Sequence, residues 1–176
     1  MQMGMMPSKL AHLLINLGTE LKSDKDKIQI WDPFVGSGTT CFLANFMGYD
    51  SIGSDIEIKF ANKNIDRRKG TQFANNDKKL IFFTQNSTEI VGSQLWKNHN
   101  ETIIVSEGRL GPIVTKQTDS DTIQSYQRQV VEIYSKFLKN MFRSNITGLK
   151  IIITIPRYIN QDNIIEDQLH KVAEEA

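Results

Sequence analysis

A chain of 176 residues, 39% hydrophobic and 23% charged, is long enough for one domain with a real core and has the balance of a globular protein. Its formal net charge of +1 gives no global attraction to polyanions, so any contact with nucleic acid needs a local patch. The single cysteine excludes an internal disulfide and a multi-cysteine metal site. No run approaches the ~18 apolar residues of a membrane span, and the Met-rich start lacks the regions of a signal peptide, so a cytoplasmic protein is the expectation.

In chain order, Ser8 to Leu17 predicts a helix with Leu10, Leu13, Leu14 and Leu17 on one face and Gly18 as its stop. The polar stretch Lys22 to Lys27 leads to a short strand whose apolar positions are Ile28 and Ile30, ended by Asp32 and Pro33. Gly36 and Gly38 then permit backbone geometry and close approach that a Cβ would forbid. A helix follows from Thr39 to Met47, with Cys41 read as a small core residue and Gly48 as the end. Ser51 to Asp55 reads as a strand and Ile56 to Lys69 as a helix stopped by Gly70. Leu80 to Thr84, Thr102 to Val105 and Leu149 to Ile155 read as further strands. Between the last two lies the longest helix, Thr122 to Phe142, where Ile123, Tyr126, Val130, Ile133, Tyr134, Phe137 and Met141 recur at helical spacing. This stripe reads as core packing rather than a base-stacking surface. After Pro156 one more helix is expected, with Ile165, Leu169 and Val172 inward.

Strands alternating with helices predict an α/β fold, a parallel sheet covered on both faces. The expected strand order is 3-2-1-4-5, with a ligand across the C-terminal ends of strands one, two and four, where the order reverses. The turn at residues 32–40 has the outline of several cofactor loops. A P-loop reading is weak because Gly38 is followed by Thr39 rather than Lys. A dinucleotide loop would need a third Gly or Ala where Cys41 stands, although Asp55 lies near the ~20-residue spacing of its ribose-binding acid. Neither explains Asp32, an acid at a strand tip that suits a cationic ligand.

The stretch Asp32-Pro33-Phe34-Val35-Gly36-Ser37-Gly38-Thr39-Thr40 resembles the Asp-Pro-Phe-x-Gly-Ser-Gly-Thr motif of S-adenosylmethionine-dependent nucleic-acid amino-methyltransferases. Met6-Pro7-Ser8-Lys9-Leu10 is similar to the Pro-x-Lys-Leu helix preceding that motif in the tRNA guanosine amino-methyltransferase family and related DNA methylases. Gly53-Ser54-Asp55-Ile56 is similar to the segment whose acid holds the cofactor ribose. The order of the pieces favours tRNA over DNA as the partner. The resemblance implies a Rossmann-like methyltransferase fold, S-adenosyl-L-methionine as cofactor and no metal. It also implies one cofactor-binding domain over 1–176, a fragment or a shortened form lacking the last two strands, for which a partner RNA-binding domain is expected.

Residue by residue, the resemblance implies cofactor contacts from Pro7, Asp32, Pro33, Gly36, Gly38, Thr39, Thr40, Asp55, Ile56 and Asn86. Asp32 would face the methionine amino group, and Asp55 would accept from the ribose diol, with capping of the next helix as its structural alternative. Glu57 is a weaker ribose candidate. Asn86 stands where an Asp is usual and could accept from or donate to the adenine edge. After the fourth strand the family carries Asp or Asn, paired prolines and an aromatic residue, whereas this chain has Ser106-Glu107-Gly108-Arg109. Glu107 is the candidate acceptor for an exocyclic amine, and Arg109 could contact substrate by stacking or by pairing with a phosphate. Lys59, Lys63, Arg67, Arg68 and Lys69 could reach phosphates or simply form the wet face of a helix. His12, His99 and His170 show no ligand spacing. Two other readings stay open: a non-catalytic or incomplete cofactor-binding module, and a nicotinamide-dependent oxidoreductase.

Overall fold

The computed structural model describes residues 6–20, 24–68, 77–89, 101–143, 149–158, 162 and 164–175. The described elements are α1 (Ser8–Thr19), a 3-10 turn (Lys25–Lys27), β1 (Ile28–Asp32), α2 (Thr39–Phe46), β2 (Asp50–Asp55), α3 (Lys59–Arg68), β3 (Leu80–Thr84), β4 (Glu101–Ser106), α4 (Ser120–Arg143), β5 (Lys150–Ile153) and α5 (Ile164–Glu174). The strands pair in parallel in the order β3-β2-β1-β4-β5, as the alternating pattern predicts. The central strand, β1, is buried along its whole length, its polar residues Gln29 and Asp32 included.

Side-chain alternation along the strands assigns the two layers. Ile28, Ile30, Ile103 and Val105 meet Ala11, Leu14 and Ile15 of α1 and Ala44 of α2. The alternate residues Trp31, Ile52 and Ile104 meet Phe137 and Met141 of α4 on the opposite face. Trp31 is held there by its indole N–H, which donates to Ser54 Oγ at 3.1 Å. The long aromatic stripe is therefore core: Ile123, Val130, Tyr134, Phe137 and Met141 are all buried, and α5 docks Ile165 against Val130 and Tyr134. Burying each large aliphatic or aromatic side chain contributes ~1.5–3 kcal/mol, so both faces stabilise the sheet.

The larger differences from the sequence reading fall in α1, α3, α4 and β5. Gly18 does not stop α1, which runs to Thr19 and closes on Glu20 in the left-handed region at φ 50°. A Cβ on Gly18 would stand 2.8 Å from Ile103 Cγ2, so glycine is there to let the helix lie directly on the sheet. For the same reason the buried face of α1 is Ala11, Leu14, Ile15 and Gly18, while Leu13 and Leu17 are exposed. α3 begins at Lys59 rather than Ile56, because the Asp55 carboxylate accepts the Glu57 N–H at 3.2 Å and turns the chain before the helix starts. α4 starts at Ser120, two residues early, where Asp119 accepts from Thr122 N at 2.8 Å and Thr122 Oγ1 at 2.7 Å. β5 is Lys150–Ile153, shorter at both ends than expected. Gly70, Lys69 and His99 lie outside the described residues.

Candidate functional site

At the C-terminal edge of the sheet, where β1 and β4 send the chain to opposite sides, lies a cavity of about 250 Å³. This is the crevice that an open parallel sheet of this order provides for ligands. Its floor is the turn 33–38. Gly36 at φ 49° and Gly38 at φ 89° both occupy the left-handed region. Around Gly36 the space for a Cβ is open, the nearest atom being Phe34 O at 3.9 Å, so its requirement is conformational. At Gly38 packing adds to conformation: a Cβ there would stand 2.6 Å from Phe42 and 3.0 Å from Phe82.

Two carboxylates organise this floor. Asp32, at the tip of β1, is buried and accepts Phe34 N–H at 3.0 Å. Burial raises its pKa to about 6, against hydrogen bonds from Ser106, Thr40 and Phe34 that favour the charged form and Asp55, which opposes it. Asp55, at the tip of β2, binds the loop from across the sheet, since its Oδ2 accepts Gly36 N–H at 3.0 Å while Oδ1 accepts Glu57 N–H. Val35 N–H completes the anchor by donating to Ser54 O at 3.0 Å. Each Asp55 oxygen keeps a lone pair, so anchoring the loop and accepting from a ligand are compatible.

The far wall is the segment after β3. Asn86 Oδ1 accepts both Thr88 N–H at 3.0 Å and Thr88 Oγ1–H at 2.8 Å. An N–H can only donate, so the amide oxygen is the atom held by Thr88, and the Nδ2 donors are left for another partner. The near wall follows β4. Glu107 is half-buried against the cavity, desolvation raises its pKa, and its carboxylate has no hydrogen-bond partner among the described residues.

Of the residues expected from sequence, Asp32, Pro33, Gly36, Thr39, Thr40, Asp55, Ile56, Asn86, Glu107 and Arg109 line this one cavity. Pro7 and Gly38 do not. Pro7 is exposed and uses its carbonyl to accept from Leu10 and Ala11 at the start of α1, so its neighbour Met6 is the residue that reaches the cavity. Glu57 is exposed and pairs with Lys59 instead of turning inward. Arg68 packs over the Phe42 ring at 4.9 Å, which assigns it to the α2–α3 contact, whereas Lys59, Lys63 and Arg67 are exposed. Cys41 is fully buried and its thiol, pushed well up by burial, donates to Ile52 O at 3.2 Å. His12 and His170 are exposed, and no group of three possible metal ligands occurs among the described residues.

The sequence reading did not find Phe34, Ser37, Gly108 and Ile133 at the cavity. Ile133 belongs to the apolar stripe of α4, and periodicity alone cannot tell which of its members faces the cavity. Gly108 carried a signal, a glycine just past a strand tip, and it adopts φ 71°.

The topology, with the glycine turn and an acid at each of two neighbouring strand tips, defines a Rossmann-like α/β domain with a crevice at the C-terminal edge of its sheet. Residues 3–66, from α1 through the glycine turn into α3, match the model of a family described as DNA methylase. Among solved structures the chain is similar to the methyltransferase domain of bacterial CtHen1-CN, with 16% identity over 96% of this chain and 86% of that one and a TM-score of 0.43. No curated protein matches the chain. No helix among the described residues is long and apolar enough to cross a membrane.

Asp32 yields a test with a defined sign. Its folded pKa of about 6 lies above the ordinary 3.8, so the ligand-free fold holds the proton more tightly than the unfolded chain. Stability is then full below the unfolded value and declines as pH rises toward the folded one, by up to ~3 kcal/mol at ~1.4 kcal/mol per unit. Asp32→Asn is expected to raise urea-unfolding stability by ~1–3 kcal/mol at pH 7.5, with the gain vanishing near pH 4. No gain at pH 7.5 would mean that the buried carboxylate is better solvated than its position implies.

Proposed function

We propose that this chain binds S-adenosyl-L-methionine in the cavity and transfers its methyl group to an exocyclic amine of a nucleic-acid base. The observation that carries the reading is the pair of acids at adjacent strand tips, one buried beneath the glycine turn and one clamping it from β2. A buried anion at the turn suits a cationic ligand far better than a pyrophosphate, which sets this site apart from phosphate-binding loops of similar outline. The cavity volume of about 250 Å³ falls just under the ~300 Å³ at which ligand pockets of ordinary size begin, so a nucleoside would fill it and leave its reactive end at the mouth.

In this reading Asp55 accepts from the ribose diol with the lone pairs left over from the loop. Asp32, ionised at neutral pH, faces the ligand's ammonium. Gly36 leaves the approach clear because it has no Cβ. When bound, the cofactor supplies a methyl group on a sulfonium, a good leaving group, so the protein's work is placement more than strong base catalysis. Glu107 accepts a hydrogen bond from the incoming amine and directs its lone pair inward. Arg109, exposed on the same loop, meets a phosphate or the face of a base presented out of its stack.

Within nucleic acids we assign tRNA guanosine from the order of the motifs, and DNA is the alternative raised by the family match over residues 3–66. Incubation with a cofactor carrying a labelled methyl group, bulk tRNA and duplex DNA separates the two. Label in tRNA supports the assignment; label in DNA alone moves it to DNA. Cofactor binding with label in neither would leave the non-catalytic module, a reading favoured by the absence of an aromatic residue in Ser106-Glu107-Gly108-Arg109.

The fixed orientation of Asn86 adds a prediction about the nucleoside. A donor-only side chain recognises ring acceptors and gives nothing to the 6-amino group of adenine. Asn86→Asp keeps the two hydrogen bonds from Thr88 and puts an acceptor in place of the Nδ2 donors. Calorimetry with S-adenosylhomocysteine and its 6-oxo counterpart should show the affinity ratio move toward the 6-amino form by about tenfold, the size of one good hydrogen bond. An unchanged ratio would remove Asn86 from the base edge.

A further inference from the structure

The loop that carries Glu107 is held from behind by a residue that the reaction itself does not use. Tyr134 is fully buried on α4, and its hydroxyl accepts Arg109 N–H at 2.7 Å while donating to Thr154 O at 3.1 Å. One hydroxyl proton serves one acceptor at a time, and the Arg109 carbonyl at 3.3 Å is the longer of the two choices. Thr154, just past β5, extends the network by donating its Oγ1–H to Glu107 O at 2.6 Å. Ser106 Oγ accepts Gly108 N–H at 2.9 Å. All four residues of the loop are thus tied, two of them by groups whose sequence separation from it exceeds twenty residues.

Gly108 shows how closely the hydroxyl approaches. It sits at φ 71°, and a Cβ there would fall 2.0 Å from Tyr134 Oη, so the loop can adopt this path only with glycine at that position. The same ring meets Phe34 edge-on, with centroids 5.7 Å apart and planes at 87°. Phe34 belongs to the glycine turn and lines the cavity. One side chain therefore touches the cofactor loop with its ring and the acceptor loop with its hydroxyl. Desolvation raises the phenol's pKa, so it stays neutral and keeps its proton to donate.

We propose that Tyr134 is a positioning residue for methyl transfer: its hydroxyl, together with Thr154, fixes the loop 106–109 so that Glu107 meets the incoming amine at a set distance from the glycine turn. This rests on the reading given under Proposed function and specifies what holds its acceptor in place. Preorganisation of this kind acts on the rate of the transfer step and leaves cofactor binding alone, because the loop tied by the hydroxyl is not the one anchored by Asp55.

Tyr134→Phe removes the hydroxyl and keeps the ring against Phe34. In steady-state assays it should lower kcat by about tenfold or more, with the cofactor KM and calorimetric Kd within about twofold of the parent. The acidic limb of the pH–rate profile should shift toward the ordinary glutamate range as the freed loop admits water to Glu107. Thr154→Val, which removes only the hydroxyl that holds Glu107 O, should give the same pattern and serves if Tyr134→Phe does not fold. Unchanged kcat in both variants, or kcat and cofactor affinity falling together with thermal stability, overturns the inference. A parent chain that binds cofactor but methylates neither tRNA nor DNA overturns the catalytic reading beneath it, which is a different result from an active parent with an indifferent variant.

Discussion

Asp55→Ala is expected to weaken S-adenosylmethionine binding by at least ~100-fold, about 2.7 kcal/mol, through two losses that act together. The first is direct, since a ribose diol would lose the only described carboxylate that lines the cavity at the tip of β2. The second is indirect. Gly36 N–H now donates to Asp55 Oδ2 at 3.0 Å, and without that acceptor the turn is held to β2 only through Val35 N–H on Ser54 O while Gly36 keeps an unpaired donor. Leaving such a donor unpaired costs ~1–3 kcal/mol, so a lowered melting temperature should accompany the weaker binding. Asp55→Asn separates the two losses in part, because its one amide oxygen can still hold Gly36 N–H, while its amide nitrogen can only donate and so loses the Glu57 N–H that Oδ1 now accepts. Its stability and its affinity should both lie between those of the parent and Asp55→Ala. Calorimetry that finds the Asp55→Ala affinity unchanged would exclude the ribose contact.

The second large effect is expected at Glu107, and it should appear in turnover rather than binding. Its side chain lines the cavity without a hydrogen-bond partner among the described residues, while its carbonyl is tied to Thr154. Losing one well-placed group that interacts with charge developing in a transition state costs ~10²–10³ in rate. Glu107→Ala should reach that range with cofactor affinity intact, and Glu107→Gln, which keeps an acceptor oxygen, should lose less. The pH profile carries a sign as well. Desolvation raises the Glu107 pKa, and the charged carboxylate is the stronger acceptor for the amine, so the rate should fall on acidification at a pH above the ordinary glutamate range. Full turnover by Glu107→Ala would show that another group takes the amine.

The central half of the fold could be read from sequence because its signals are local. Ile28 and Ile30 before Asp32-Pro33, and the two glycines after them, mark strand, turn and helix within a dozen residues, and the turn then places Asp32 and Thr40 at the cavity with little freedom. Asp55 was legible for a similar reason, an acid at a strand end followed by a helix. The errors have the opposite character. Gly18 stands where a helix stop is expected, but its meaning lies in Ile103 and Ile152, which sequence does not bring near. Tyr134 looked like one more apolar position on α4, and by burial it is. Its hydroxyl acts on Arg109 and Thr154, partners separated from it by 25 and 20 positions, and no periodicity announces a contact of that kind. In sequence Asn86 is equally donor or acceptor, and only the hydrogen bonds from Thr88 assign its amide oxygen.

The central claim is that a sulfonium nucleoside lies on the turn between β1 and α2 with its sugar at the end of β2. A crystal structure of the chain soaked with S-adenosylhomocysteine measures this directly. The account predicts ribose hydroxyls within hydrogen-bond distance of the Asp55 carboxylate, the base beside Ile56 and Asn86, and the sulfur turned toward Glu107. A nucleoside bound anywhere else, or a turn closed over by Phe34 and Met6 with the ligand excluded, would contradict it.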